Sequence, residues 1–238
     1  MLTQFDPLDD GISLIRLDEV CGADVSVVNA ARVSHAKKVE KMEEKDEKLV
    51  NYLAEHEHGT PFEHNFLKFE AKAPIFVFRE WHRHRVGWSY NEWSMRYLEG
   101  GKDIELEAYL PAKLRRQSAS NRQASGEFFT DDSLKTSMLA GYSSSVYCYQ
   151  RLITGGLARE LARAVLPVGM YSSMIASCNV RSLLHFLKLR LSSDAQWEIR
   201  QYAKAMLVLA EQHFPVSIGN WRKKHGYDAS GDKVERTV

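Results

Sequence analysis

The cleanest periodicity in the chain lies at 65–73, where Leu67, Phe69, Ala71 and Ala73 alternate with Lys68, Glu70 and Lys72. A period of two puts the apolar set on one face and the charged set on the other, as in a half-buried strand. Residues 12–17 predict a shorter opening strand, and 168–178 a later one. Helical spacing governs other stretches. Val25, Val28, Ala31 and Arg32 follow Asp24, which is expected to cap their helix. The Lys- and Glu-rich run 37–48 reads as a solvated helix face. Leu49, Val50, Leu53 and Ala54 then repeat at helical spacing, with Gly59 expected to end that helix. A polar connector at 56–64 leads into the strand. Pro74 suits a first helical position, so 75–83 predicts a short helix.

The second half reads as mostly helical. Residues 113–129 are polar and turn-rich and predict a mobile surface insertion. A long helix starts near 131–133 and runs through Leu134, Met138, Val146 and Leu152; Gly155-Gly156 is expected to bend it before it continues to Pro167. Asn179 is placed to cap a helix carrying Arg181, His185 and Arg190, and a last helix spans 194–213. No internal repeat, linker or domain boundary interrupts the pattern. One α+β domain over 1–238 is the economical reading.

Composition narrows the classes. Apolar residues make up 44% and charged residues 26% of the 238, ordinary for a globular enzyme with a real core. A formal net charge of +1 leaves no general basic face, which argues against a nucleic-acid binder. No apolar run reaches membrane-span length, so no membrane partner is expected. The start of the chain lacks the basic and apolar regions of a signal peptide, so the cytoplasm is expected. Three widely spaced cysteines, Cys21, Cys148 and Cys178, suggest neither a disulfide framework nor a Cys-rich metal site.

Against this neutral background, 79–97 stands out. It gathers Arg79, Arg83, Arg85 and Arg96 with His82 and His84, interleaved with Ser89, Asn91, Glu92 and Ser94. Guanidinium groups at such density need anions or acceptors to meet them, so the stretch points to a site for an anionic, planar ligand. His56-x-His58 with His64, and His82-x-His84, have a superficial likeness to metal-ligand clusters. No acidic ligand recurs at metal-like spacing, and arginines crowd the second pair, so hydrogen-bonding roles are preferred and no metal is expected. Arg159 and Arg163 fall one helical turn apart with Glu160 placed to pair with either, a structural network being the plain alternative. Arg181 and His185 share a helix face behind Asn179. Neither a Gly-x-Gly-x-x-Gly nor a Gly-x-x-x-x-Gly-Lys pattern occurs, so no Rossmann or P-loop site is supported.

Five segments in order resemble the flavin-dependent thymidylate synthases. Arg83-His84-Arg85 followed by Ser94-Met95-Arg96-Tyr97 is similar to that family's central signature. Around it stand Ala30-Ala31-Arg32-Val33-Ser34, His58-Gly59-Thr60-Pro61-Phe62-Glu63-His64, Arg159-Glu160-Leu161-Ala162-Arg163, and Asn179-Val180-Arg181 through Leu189-Arg190 and on to Ile199. The resemblance implies an α+β (mixed α/β) single domain, with a central, mostly antiparallel sheet flanked by long helices. It further implies a homotetramer with FAD bound between subunits, methylating dUMP to dTMP. The carbon would come from 5,10-methylenetetrahydrofolate and the reducing equivalents from NADPH, without an enzymic cysteine nucleophile. Carried over by position, Ser94, Met95 (through its backbone), Arg96 and Arg163 would hold the dUMP phosphate. Glu92 would sit beside nucleotide and flavin. Arg190 would be catalytic, meeting the uracil ring and stabilising charge on its carbonyl. Ser34, His58, Thr60, Glu63, Arg83, His84, Arg85, Asn179, Arg181 and His185 would line the FAD site.

The chain departs from the family pattern in three places. Eight residues separate Arg85 from Ser94 where seven is usual, which puts contacts around 86–88 in question. Glu80 stands where glutamine is common and would need a partner, Arg79 being the nearest candidate. The 113–129 stretch has no counterpart. Two other classes compete: a metal-dependent nucleotide hydrolase built on the His-x-His pairs, and an RNA-binding module using the arginines and tryptophans as a stacking surface.

Overall fold

The structure is a computed structural model that describes residues 3–119, 121–123, 125–129 and 131–234. Ser120 and Ala124 of the expected insertion lie outside the described residues.

The alternating segment does form a strand, Phe66–Pro74 (β3), with Leu67, Phe69, Ala71 and Ala73 wholly buried. It sits in the middle of five antiparallel strands. Gln4–Phe5 (β1) and Leu14–Cys21 (β2) lie to one side, Tyr171–Cys178 (β7) and Trp88–Glu92 (β4) to the other, in the order β1-β2-β3-β7-β4. On the outer face, charges meet directly across the β2–β3 ladder: Arg16 opposite Glu70 and Lys68 opposite Glu19, each an ion pair. The inner face is covered by Trp197–Glu211 (α7), whose Tyr202, Met206 and Leu207 are fully buried and whose Tyr202 hydroxyl donates to the Lys72 carbonyl at 2.6 Å. Val180–Arg190 (α6) packs beside it, contributing Leu183, Phe186 and Leu187. The ring of Trp81 lies 5.2 Å from Phe186 and 6.0 Å from Tyr202, so core and site share one aromatic cluster. Removing such a ring costs about 3–5 kcal/mol, which makes α6 a firm platform.

Several expectations are corrected. Asp24 does not cap its own helix, Asp24–Arg32 (α1), where Ala23 is the N-cap. Its buried carboxylate instead accepts from the backbone N–H groups of Val216 and Ser217, capping Ser217–Lys224 (α8), a helix that the periodicity did not mark. The solvated run 37–48 is helical only from Glu44, in Glu44–Glu55 (α2), because Asn29 brackets the backbone of Val39 with two hydrogen bonds. That helix ends before Gly59. A Cβ at Gly59 would stand 2.4 Å from the Arg181 Nε, so close approach by the guanidinium accounts for glycine there. Asn65 stays outside β3; its amide oxygen accepts from Val180 N–H at the start of α6. Pro74 ends β3 and is the N-cap of Ile75–Trp81 (α3), so Arg83 lies beyond the helix.

The insertion carries a hairpin, Arg115–Gln117 (β5) and Ser125–Phe128 (β6), tied to the core by Arg115 pairing with buried Glu198. Ser133–Thr154 (α4) stops at Gly155-Gly156, with Gly156 at φ 83°, instead of bending and continuing; only a short turn, Arg159–Ala162 (α5), follows. The edge strand β4 was not foreseen, although Trp88 and Tyr90 alternate with exposed Ser89 and Asn91 and stack 5.7 Å apart.

Candidate active site

Two stretches flank β4, and they are built differently. Upstream, 83–87 is pinned against the first turn of α6. Asn179 caps that helix as expected, accepting from Ser182 N–H at 2.9 Å, and Ser182 Oγ donates to the Val86 carbonyl at 3.0 Å. Gly87 makes this fit possible: its φ is +69°, and a Cβ would lie 2.1 Å from Ser182 Oγ. His84 is turned inward. Its carbonyl accepts from the Tyr90 hydroxyl at 2.6 Å, and its Nε2 lies 2.9 Å from the Arg190 Nε. Burial, then the charge of Arg190, then His185, lower the His84 pKa to about 4, so the ring is the neutral acceptor of that bond. Arg83 and Arg85 remain exposed.

Arg190, at the last turn of α6, is held from three directions. Nε donates to His84, Nη1 to the Glu80 carboxylate at 2.6 Å and Nη2 to the Glu80 carbonyl at 2.8 Å. The side chain is 14% exposed, so these contacts fix it and leave a narrow window to solvent. Glu80 therefore pairs with Arg190 and not with Arg79, a correction that explains how a carboxylate is tolerated here.

The residues expected around FAD gather on adjoining clefts that all share Arg181. One of about 330 Å³ is lined by His58, Arg181 and His185 with Lys188 and Trp221. A second, about 460 Å³, adds Glu63, Asn179, Val86 and Gly87. A third, about 530 Å³, adds Thr60 with Ala30 and Ala31. Glu63 accepts from Arg181 Nη1 at 2.5 Å and steadies it. Ser34, Arg83, His84 and Arg85 do not line these clefts; Ser34 sits on the turn after α1, its hydroxyl 3.0 Å from His35 Nδ1. Lys188 and Trp221 were missed by sequence reasoning. Lys188 shares the α6 face of Arg181 and His185 by spacing, whereas Trp221 arrives from the unforeseen α8.

Downstream of β4, Glu92, Met95 and Arg163 line a separate cavity of about 150 Å³ with Trp93 and Ser172. Ser94 Oγ accepts from Arg96 N–H at 3.4 Å. Arg96 is exposed and its nearest carboxylate is Glu160 at 3.8 Å, so Glu160 pairs with neither Arg159 nor Arg163. Arg159 instead reaches Glu99 and the Tyr97 carbonyl. Arg190 lines neither this cavity nor the three clefts.

The His-x-His pairs do not form a ligand set. His56 bonds the Tyr52 carbonyl, His82 lies against Met174 and Tyr90, and His84 faces Arg190. Among the described residues no group of three or more His, Cys, Asp or Glu could hold a metal ion, which leaves the hydrolase alternative without support. Nor is any helix of the described residues long and apolar enough to cross a membrane. Cys178 is buried in β7 and its thiol is pushed well above the ordinary range by burial, which keeps it un-ionised and inert as a nucleophile.

An antiparallel α+β domain with clefts that share Arg181, a separate cavity lined by Glu92 and Arg163, and an arginine locked by Glu80 and His84 has the groups with which enzymes of the nucleotide-and-cofactor class hold anions. The family model described as thymidylate synthase complementing protein (Thy1) matches residues 16–216, and the chain belongs to that family. Relatives point the same way. The chain is 40% identical over 223 residues to a flavin-dependent thymidylate synthase of Thermosipho melanesiensis, covering 92% of this chain and 94% of that one. It is 44% identical over 200 residues to the Thermosipho africanus protein of the same name, covering 82% and 84%. Among solved structures, a UMP/dUMP methylase, PolB, from Streptomyces cacaoi bound with 5-Br dUMP superposes with a TM-score of 0.80 at 36% identity, covering 89% of this chain and 95% of that one.

Proposed function

We propose that this protein is a flavin-dependent thymidylate synthase that methylates dUMP to dTMP, with 5,10-methylenetetrahydrofolate as carbon donor and NADPH as reductant. The hold on Arg190 carries this reading. A guanidinium has five N–H donors, and Glu80 and His84 engage three. The remaining two meet no acceptor among the described residues and are aimed by the hold itself. A cation fixed this way suits a uracil carbonyl, where it stabilises negative charge that grows as the pyrimidine carbon becomes nucleophilic. His84 stays neutral and so adds no competing charge.

The clefts around Arg181 fit FAD in chemistry. They are polar at His58, Thr60, Asn179 and His185, and Gly59 and Gly87 let Arg181 and Ser182 close on the backbone there. When bound, FAD supplies redox chemistry that no side chain here offers. Arg181 and His185 would offset its negative charge and Asn179 would orient it. Arg96 and Arg163, with Ser94 and the Met95 backbone, are the seat for the dUMP phosphate, a task suited to guanidinium forks.

The two halves stand apart in a single chain, which supports completion by other subunits of a homotetramer. The apolar surface agrees: in the 22-residue α4 only Tyr149 is buried, while Leu134, Leu139 and Tyr147 are exposed, followed by Leu157 and Leu161.

An absorbance spectrum with and without added FAD, followed by NADPH oxidation with dUMP or UMP, tests the proposal. A yellow protein whose NADPH oxidation is stimulated by dUMP is expected. A colourless protein that takes up neither FAD nor dUMP would sink it.

A further inference from the structure

A cavity of about 470 Å³ lies between the end of α6, α7 and the segment after α8, outside everything described above except Lys188. Four cationic side chains line it, Lys188, Arg200, Lys204 and Lys233, against one carboxylate, Asp232. Two of the cations are already engaged: Lys204 pairs with Asp232, and Lys233 donates to the His225 carbonyl at 2.7 Å. The other two are not. Among the described residues no carboxylate pairs with Lys188, and the buried Arg200 Nε has no hydrogen-bond partner.

Arg200 lies among charges of both signs: Glu198, whose Oε1 accepts from Arg115 and from the Tyr109 hydroxyl, and Asp232 both favour its charged form. Burial first, then the charge of Arg115, outweigh those carboxylates and push the Arg200 pKa down. An oxyanion in the cavity would gain charge-assisted hydrogen bonds from the ammonium and guanidinium groups that line it. Hydroxyls of Ser192 and Ser193 on the rim add neutral donors.

The cavity also adjoins the proposed flavin-side cleft. Lys188 lines both. Trp221 of the cleft stacks on His225 of the cavity, with ring centroids 4.2 Å apart at 24°. Arg181 and Lys188 are seven residues apart on one helix, a rise of roughly 10 Å. A ligand with a planar group near Arg181 and His185 and an anionic end about 10 Å away would span the two.

We infer that this cavity is an oxyanion subsite, holding the phosphate or carboxylate end of a ligand whose ring occupies the adjoining cleft. Only the identity of that ligand rests on the proposed function. Two sources share the chemistry: the phosphates of NADPH and the glutamate carboxylates of the folate.

The test is isothermal titration of pyrophosphate into FAD-loaded protein saturated with dUMP, so that the arginines of the nucleotide seat are occupied. The wild type should bind one equivalent, and Lys188→Gln and Arg200→Gln should weaken binding at least fivefold, with Lys188→Arg restoring it. Lys188 is exposed, so its variants remain informative if Arg200→Gln fails to fold. Equal affinity in the wild type and Lys188→Gln overturns the inference. Kinetics then separate the sources. A raised KM for NADPH but not NADH marks the reductant, and a raised KM for the folate marks its carboxylates. If the protein takes up neither FAD nor dUMP, the proposed function fails, while the same wild-type and Lys188→Gln titrations run without them still decide the subsite.

Discussion

The two ends of β4 make an instructive pair. At its start, 83–87 is held by Ser182, Tyr90 and Arg190, and His84 is 5% exposed. At its end, 93–97 is loosely tethered: Arg96 has one long contact to Glu160, and Tyr97 is 72% exposed. Both lie within one arginine-rich stretch, yet one is pinned by the chain's own contacts and the other leaves Arg96 and Tyr97 exposed. The difference follows from where each lands. The first packs on a helix that is itself part of the core, so its backbone polar groups must be paired. The second has backbone bonds of its own, Trp93 N–H to the Ser173 carbonyl and Arg159 to the Tyr97 carbonyl, but its Arg96 and Tyr97 side chains stay exposed beyond the end of β4.

The sharpest way to break this comparison is to remove the group that the wired half exists to aim. Arg190→Ala is expected to lower dUMP methylation by about 10²–10³-fold, while FAD uptake measured by absorbance persists. Glu80→Gln, which keeps an acceptor for Arg190, should lose far less. Full activity in Arg190→Ala would refute its role at the uracil ring.

A pH series probes the same half through stability. His84 titrates near its ordinary value when unfolded but at about 4 when folded, so between these limits the unfolded state binds the extra proton. Stability should therefore fall by about 3 kcal/mol as pH drops from 6.5 to 4, and level off below. Thermal unfolding of the wild type against His84→Gln isolates this contribution, since the slope assigned to His84 should vanish in the variant.

Gly87→Ala tests the pin itself. A side chain at φ +69° pressed on Ser182 Oγ should cost about 1–3 kcal/mol and loosen FAD retention, read by denaturant midpoint and by dialysis. The open half should respond in the opposite way. Arg96→Ala is expected to raise the dUMP KM about tenfold or more while leaving the melting temperature within a degree or so. A large loss of stability there would mean that 93–97 is as structurally committed as 83–87.

Much of this was legible along the chain, for identifiable reasons. β3 was readable because burial on one face alone enforces strict alternation, and α6 because Asn179 supplies a local cap ahead of a leucine-rich face. The residues that line the clefts around Arg181 were legible as types, since dense arginine and histidine in a near-neutral chain call for anions. β4 was obscured because its flanking arginines drew attention from the Trp88–Tyr90 alternation. α8 was hidden because its cap, Asp24, lies 192 residues away in sequence.

What the sequence determined by itself was therefore local: periodicity, caps, turn glycines and the inventory of cationic groups. What only the tertiary structure decided was pairing between distant charges. Glu80 turned out to serve Arg190, and Asp24 to serve α8. The reason is physical. Propensity and pattern act over a few residues, whereas a buried charge is stabilised by whatever partner the fold brings within about 3 Å, and the intervening sequence carries no record of that choice.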